Sequence, residues 1–290
     1  MYQRELQVAL TLARRADKIA RRYYKRRSRV RTKRDQTSVT AADQRIERVI
    51  VEGLLRRFPR DRIVGEEFGT TTGVQGRFWT IDPIDGTNQF VQKTDHFCVM
   101  IGLVVGGRSV LGVIAAPALG KTFYGAHGHG SFVTRGGRRR RLCVRHRAAI
   151  EQATLVVPFR PRHGSAIGQA ARDLLHPARR IEIGSIGLPL TTIAEGRADA
   201  DIRTSLITKV WDYVPGQIIL EEAGGIMSTL SGLPLRYRWG RLNVDHGVVA
   251  AIPELHPEIL RRLRSGRIIG RFLRVRRQAR AGGLPKDRAA

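Results

Sequence analysis

Acidic side chains follow apolar stretches at three places along the chain. Asp82 and Asp85 come directly after one apolar run, Glu66 follows a second, and Asp212 follows a tryptophan. Open α/β folds bind ligands at the edge where strands end, so we expect these carboxylates at such an edge. Carboxylates with no His or Cys beside them suit a hard cation, Mg²⁺ above all.

The turn between the two aspartates of the first cluster is stiff. Pro83 fixes one φ angle, and Gly86 permits a φ angle that other residues avoid. Asp82 and Asp85 can therefore point at one spot, with the backbone carbonyl of Ile84 beside them. Carboxylates that converge in this way repel one another unless a cation joins them.

The residues after this turn are candidates for binding phosphate. Beyond Gly86, the amides of Thr87 and Asn88 are expected to open a short helix. Amides at the start of a helix bind phosphate oxygens. One turn would then supply both metal ligands and a phosphate cradle.

Each acidic residue also has a simpler interpretation when it is taken alone. Asp43 fits a helix-capping acid behind Thr40, and Asp212 fits an acid in the first turn of a helix. A Glu-Glu pair such as the one at Glu66 is usually surface, and an Asp-Gly pair is usually a turn. These interpretations do not explain why the clusters occur together.

Hydrophobic periodicity predicts the elements that position these residues. The first half, with its hairpins, indicates an α+β arrangement, and the second half alternates strands and helices, so the fold class is α/β (α+β). We expect an N-terminal domain over 1–145 with most of the candidate ligands, a C-terminal domain over 146–265 with Asp212, and a basic tail over 266–290. The boundary is placed in an Arg-rich loop at 135–147, the tail is frayed or a helical arm, and a helix is predicted over 214–223 with Pro215 in its first turn.

Charge and composition exclude several classes of protein. Lys and Arg number 52 against 25 Asp and Glu, which gives a net charge of +27. Two cysteines cannot build a disulfide scaffold, and the longest apolar run is far shorter than the roughly 18 residues of a membrane helix. With no signal peptide at the start of the sequence, we expect a cytoplasmic protein. The basic arms attract anions, either nucleic acid or an anionic surface, or are solvated faces with no partner.

Four motifs, in order along the chain, resemble those of the inositol monophosphatase superfamily over about residues 5–265. The segment at 79–87 (WTIDPIDGT) is similar to the first signature of that family, and the segment at 211–225 (WDYVPG to EEAGG) is similar to the second. The segments at 65–67 and 39–43 match two further blocks. This resemblance implies a layered αβαβα sandwich, Mg²⁺-dependent hydrolysis of phosphomonoesters, inhibition by lithium, and a homodimer.

The same resemblance implies a role for each matching residue. Two or three Mg²⁺ ions would be held by carboxylates and one carbonyl: Glu66, Asp82 and Ile84 for the first ion, and Asp82, Asp85 and Asp212 for the second. Glu66 and Thr87 would position and deprotonate the attacking water, with Asp43 hydrogen-bonded to Thr87. The amides of Gly86 and Thr87, with Asn88, would hold the phosphate.

The substrate is predicted less directly than the chemistry. Ser205 stands where inositol monophosphatases carry a Glu that contacts the inositol ring, whereas Lys209 resembles a residue of the 3'(2'),5'-bisphosphate nucleotidases. Lys209 or Arg203 could bind a second phosphate. Alternatively, and equally well, Lys209 is interpreted as a solvated residue at a helix edge. The favoured substrate is a bisphosphate nucleotide, with inositol monophosphate and histidinol phosphate as alternatives. A nucleic-acid-binding protein that retains a phosphatase fold is a more distant alternative, supported by the charge alone.

Overall fold

The computed structural model describes residues 1–25, 30–32, 38–74, 76–146, 149–158 and 165–281. Eight α-helices occur in this part of the chain: α1 (Gln3–Tyr24), α2 (Ala41–Arg57), α3 (Thr87–Val91), α4 (Ser165–Asp173), α5 (Gly187–Ala194), α6 (Val210–Glu221), α7 (His256–Ser265) and α8 (Ile268–Ala281). None of the helices described is long and apolar enough to cross a membrane.

The strands form two large sheets and one small one. In chain order they are β1 (Val30–Thr32), β2 (Ser38–Thr40), β3 (Arg62–Gly65), β4 (Gly69–Thr70), β5 (Arg77–Asp85), β6 (Cys98–Val105), β7 (Arg108–Ala116), β8 (Lys121–Ala126), β9 (Ser131–Arg135), β10 (Arg138–Arg141), β11 (Thr154–Pro158), β12 (Arg179–Ile183), β13 (Ala200–Arg203), β14 (Ile226–Thr229) and β15 (Val248–Ala251). The eight-stranded sheet has the order β10-β9-β8-β7-β6-β5-β3-β4, the five-stranded sheet has the order β12-β11-β13-β15-β14, and β1 pairs with β2.

Side chains on the eight-stranded sheet alternate between two hydrophobic cores, as the pleat of a strand requires. Trp79, Ile81 and Leu103 pack with α1 and α2 on one face. Phe78 and Met100 point to the other face, into a core shared with α5, α6 and the five-stranded sheet. Helices α4, α7 and α8 contact the far side of the second sheet or one another. The layers are therefore α, β, α, β, α, and the predicted sandwich is confirmed.

Helix α6 starts earlier than the sequence pattern suggests. It begins at Val210 rather than at 214, so Pro215 is its sixth residue and not part of its first turn. Asp212 makes the earlier start favourable because its side chain accepts a hydrogen bond from the amide of Lys209 at 2.7 Å. Pro215 lies directly against the sheet, where a Cβ on Gly112 would come within 2.0 Å of the Pro215 carbonyl oxygen.

One basic segment is more ordered than expected, and a second takes one of its two expected forms. Within the predicted loop at 135–147, Arg138–Arg141 forms edge strand β10, which pairs with β9. Gly136 and Gly137 make this hairpin possible, since both have positive φ angles, of 56° and 79°. In the basic tail, α8 is a helical arm that buries Ile268 and Phe272. Residues 282–290 of the tail lie outside the described part of the chain.

Candidate active site

The predicted acids are brought together from three elements. Asp82 and Asp85 lie in the last part of β5, Glu66 directly follows β3, which runs parallel to β5, and Asp212 lies in the first turn of α6. Asp82, Asp85 and Asp212 are all buried. Burial raises the pKa of Asp82 well above its ordinary value, and the nearby charges of Glu66, Asp85 and Asp212 raise it further. The four carboxylates therefore share one electrostatic environment.

Asp82 has a buried oxygen atom without a hydrogen-bond partner among the described residues. This atom is Oδ1 of the carboxylate. A buried polar atom without a partner costs free energy, and more so when it belongs to a charged group. An ion that coordinates this oxygen would remove that cost.

Asp85 connects the eight-stranded sheet to the helix layer that packs on it. Its carboxylate accepts hydrogen bonds from the amide of Ile186 at 2.9 Å and from the amide of Gly187 at 2.7 Å, at the start of α5. The thiol of Cys98 donates to the same oxygen at 3.4 Å. Burial raises the pKa of Asp85, although the two amides oppose that shift. Asp85 is thus fixed in place by groups that are about one hundred residues away in the sequence.

Asp212 is oriented by the residue that precedes its helix. The Lys209 amide donates to Asp212 Oδ2 at 2.7 Å, and the Lys209 Nζ atom donates to Asn243 Oδ1 at 2.5 Å. Burial raises the pKa of Asp212, and the hydrogen bond from the Lys209 amide opposes that shift. Lys209 is therefore beside the acidic group. Arg203, the other predicted phosphate ligand, is 10% exposed and paired with Asp201 at 2.7 Å.

Thr87 and Asp43 lie close together, at a distance that is long for a hydrogen bond. Thr87 Oγ1 is 3.5 Å from Asp43 Oδ1 and donates more closely, at 3.0 Å, to the carbonyl of Ile84. Asp43 is held at the start of α2, where its Oδ2 atom accepts from the amide and the hydroxyl of Thr40. Burial raises the pKa of Asp43 to about 6, against the lowering effect of these bonds.

Gly86 is required by both its backbone angle and the space around it. Its φ angle is 89°, and a Cβ atom there would lie 2.7 Å from the carbonyl oxygen of His96. Gly86 forms the N-cap of α3, so the amides of Thr87 and Asn88 open that short helix as predicted. Asn88 is exposed at its second position.

Glu47 is an important residue that the sequence analysis did not identify. It is completely buried on α2, and its two oxygens accept hydrogen bonds from the amides of Glu67 and Phe68, each at 2.8 Å. Glu47 thereby holds the turn that carries Glu66. Burial raises its pKa to about 7 despite these two bonds. The available signal was an acid on the apolar face of α2, four residues after Asp43.

The donor set of this site fits a hard divalent cation. The described residues contain no group of three or more His, Cys, Asp or Glu side chains that is arranged to hold a metal ion as it stands. However, four acids whose charges repel one another, with an unpartnered Asp82 oxygen among them, need a cation more than any neutral ligand. Glu66, Asp82, Asp85 and Asp212, with the carbonyl of Ile84, supply only oxygen, which is the ligand that Mg²⁺ prefers.

Comparison with known proteins gives consistent results. The model of the inositol monophosphatase family matches residues 1–266. A histidinol-phosphatase of Mycobacterium tuberculosis is 35% identical over 269 residues, which cover 90% of this chain and 98% of that protein. The 3'(2'),5'-bisphosphate nucleotidase CysQ of Aggregatibacter actinomycetemcomitans is 33% identical over 87% of this chain and 94% of that protein. The solved inositol monophosphatase of Anabaena superposes with a TM-score of 0.76 at 29% identity, over 91% of this chain and 96% of that one.

Proposed function

Since this chain belongs to the inositol monophosphatase family, whose members are phosphatases, we propose that it is a Mg²⁺-dependent phosphomonoesterase that acts on a small phosphorylated metabolite. The observation that carries the proposal is the burial of Asp82, Asp85 and Asp212 in one electrostatic environment with Glu66. A fold does not keep so many like charges together without a compensating cation or a function.

Different residues of the site bind the metal, the attacking water and the phosphate. Bound Mg²⁺ would lower the pKa of a water molecule and would supply positive charge beside the leaving oxygen. Glu66 and Thr87 orient the attacking water. Its proton passes to the carboxylate of Glu66 or, through the Thr87 hydroxyl, to the carboxylate of Asp43, which keeps that hydroxyl in position. The amides that follow Gly86 orient the phosphate. Because phosphoryl transfer depends mainly on positioning and charge stabilisation, no side chain needs to act as a nucleophile.

For the substrate, we favour a 3'(2'),5'-bisphosphate nucleotide. Lys209 supports this choice because its charge acts on the candidate metal ligand Asp212, where it opposes the rise of the pKa that burial causes. A cation at this distance could bind a second phosphate. Asn243 accepts from the ammonium group and limits its direction. Histidinol phosphate is the second candidate, supported by the 35% identity to a histidinol-phosphatase over nearly the whole of that protein.

Phosphate release in the presence and absence of Mg²⁺ tests the reaction. Asp82→Asn is expected to lower kcat by several decades, roughly the loss of a catalytic metal. The matched control is Asp173→Asn, since Asp173 is half exposed and pairs only with surface groups on its own side of the fold. Equal turnover in the two variants would refute the assignment.

A substrate panel tests specificity separately from the reaction. It compares kcat/KM for adenosine 3',5'-bisphosphate, histidinol phosphate and inositol 1-phosphate. We expect the bisphosphate to rank first and Lys209→Met to lower its kcat/KM more than that of inositol 1-phosphate. A higher kcat/KM for histidinol phosphate would assign the second candidate instead, with the metal chemistry unaffected.

A further inference from the structure

A basic cavity lies next to helix α8, outside the acidic site. It has a volume of about 300 Å³, at the lower end for small-molecule sites, and is lined by the 229–246 connection, by Val210 and by Leu273 and Arg276 of α8. The family model ends at residue 266, before α8 begins. Two residues of α8 form part of the cavity wall.

The wall of this cavity is strongly cationic. Arg236, Arg238, Arg241 and Arg276 all line it, and no Asp or Glu does so among the described residues. The positive potential also shows in His246, whose pKa is lowered first by burial and then by the charge of Arg276. A concave surface with one sign of charge concentrates anions from solution.

Asp245 holds two of these arginines, Arg241 and Arg276, in place. It is 5% exposed and pairs with Arg276 at 3.1 Å, with Arg280 at 2.6 Å and with Arg241 at 3.5 Å. One carboxylate thus anchors three guanidinium groups and neutralises one of the three charges. Guanidinium groups fixed in this way bind the oxygens of phosphate in pairs at a low entropic cost.

The cavity also offers apolar contact. Leu233, Leu235 and Leu273 line it, and Leu233 is 64% exposed. Inorganic phosphate would leave this apolar surface open to water, whereas a base or another flat group would cover it. The combination of an arginine wall and leucine side chains favours an organic phosphate over a bare anion.

We propose that the cavity between α8 and the 229–246 connection is a second binding site, which takes a small organic phosphate of nucleotide size with at least two negative charges. The site is separate from the carboxylate cluster, although Asn243 lines the cavity and also accepts the Lys209 hydrogen bond. It does not depend on the proposed phosphatase reaction.

Isothermal titration of the full chain with ADP, in buffer that contains EDTA and 150 mM salt, tests the site. EDTA removes divalent cations and with them the metal-dependent binding of phosphate at the acidic cluster. We expect one ADP per chain, with inorganic pyrophosphate binding more weakly. The pair Arg236→Ala and Arg238→Ala should weaken ADP binding about tenfold or more, as for the loss of charge-assisted hydrogen bonds.

The matched control is the pair Arg271→Ala and Arg274→Ala, which removes the same charge from α8 outside the cavity lining. This pair should change ADP affinity less than about twofold, since screening at this salt limits distant charges. The single variant Arg241→Ala gives a second measurement if the first pair lowers the thermal midpoint. Absence of ADP binding, equal weakening by both pairs, or tighter binding of a single-stranded octanucleotide that both pairs weaken would each overturn the proposal.

Discussion

Glu47 controls the turn that carries a candidate metal ligand, and its removal has a calculable effect. Glu47→Ala leaves the amides of Glu67 and Phe68 without their acceptor. A buried amide that loses its partner costs about 1–3 kcal/mol. Glu67 and Phe68 are partly or largely exposed, so water can reach their amides and the lower end applies to each. We therefore expect a loss of about 2–3 kcal/mol in the free energy of unfolding.

For a chain of 290 residues, this loss corresponds to a fall of about 3–5 °C in the thermal midpoint. Glu47→Gln should lose less stability, because its amide oxygen can still accept one of the two bonds. Since Glu66 directly precedes the released turn, the Mg²⁺ concentration for half-maximal activity should rise in Glu47→Ala.

Glu52→Ala is the matched control, since Glu52 is exposed on the same helix. Differential scanning calorimetry gives the midpoint, and a Mg²⁺ titration of phosphate release gives the metal dependence. If Glu47→Ala matches Glu52→Ala in both, Glu47 does not hold the turn and our reasoning is wrong.

Three further predictions concern other parts of the structure. Gly86→Ala should fold but lose most of its turnover, because the new Cβ would lie 2.7 Å from the His96 carbonyl at a φ angle of 89°; full activity would contradict this. Mg²⁺ should raise the thermal midpoint of the wild type by mass action and should not do so for Asp82→Asn, as scanning calorimetry can show. Burial would raise the pKa of Asp245, but Arg276 and Arg280 outweigh it and hold the pKa below its ordinary value. The stabilisation from Asp245 should therefore be constant above about pH 4 and disappear as the pH falls further. Asp245→Asn should lack this stabilisation at every pH. If the thermal midpoints of the wild type and of Asp245→Asn differ by the same amount at every pH, this prediction is wrong.

The sequence predicted best the features that depend on neighbouring residues. The turn from Asp82 to Gly86 is local, because Pro83 and Gly86 restrict its backbone, and the start of α2 at Thr40 follows from a capping pair three residues apart. These features need no knowledge of what packs against them.

The features that the sequence did not predict depend on partners far along the chain. Glu47 bonds amides about twenty residues away, and the partners of Asp85 at Ile186 and Gly187 are about one hundred residues away. The start of α6 was misplaced because Pro215 suggests a first turn, whereas Asp212 caps the helix earlier. Only the tertiary structure determines which of two such local signals prevails.

The position of Asp85 links the stability of the fold to its chemistry. Its bonds to the amides at the start of α5 connect β5 to the helix layer, and its burial beside Asp82 and Asp212 places charge where water cannot solvate it. If the site were only structural, an apolar contact at this position would be more stable than three buried acids. A bound cation would offset the cost of burying the acids, so the same ion that would serve the reaction would also stabilise the contact between β5 and the helix layer.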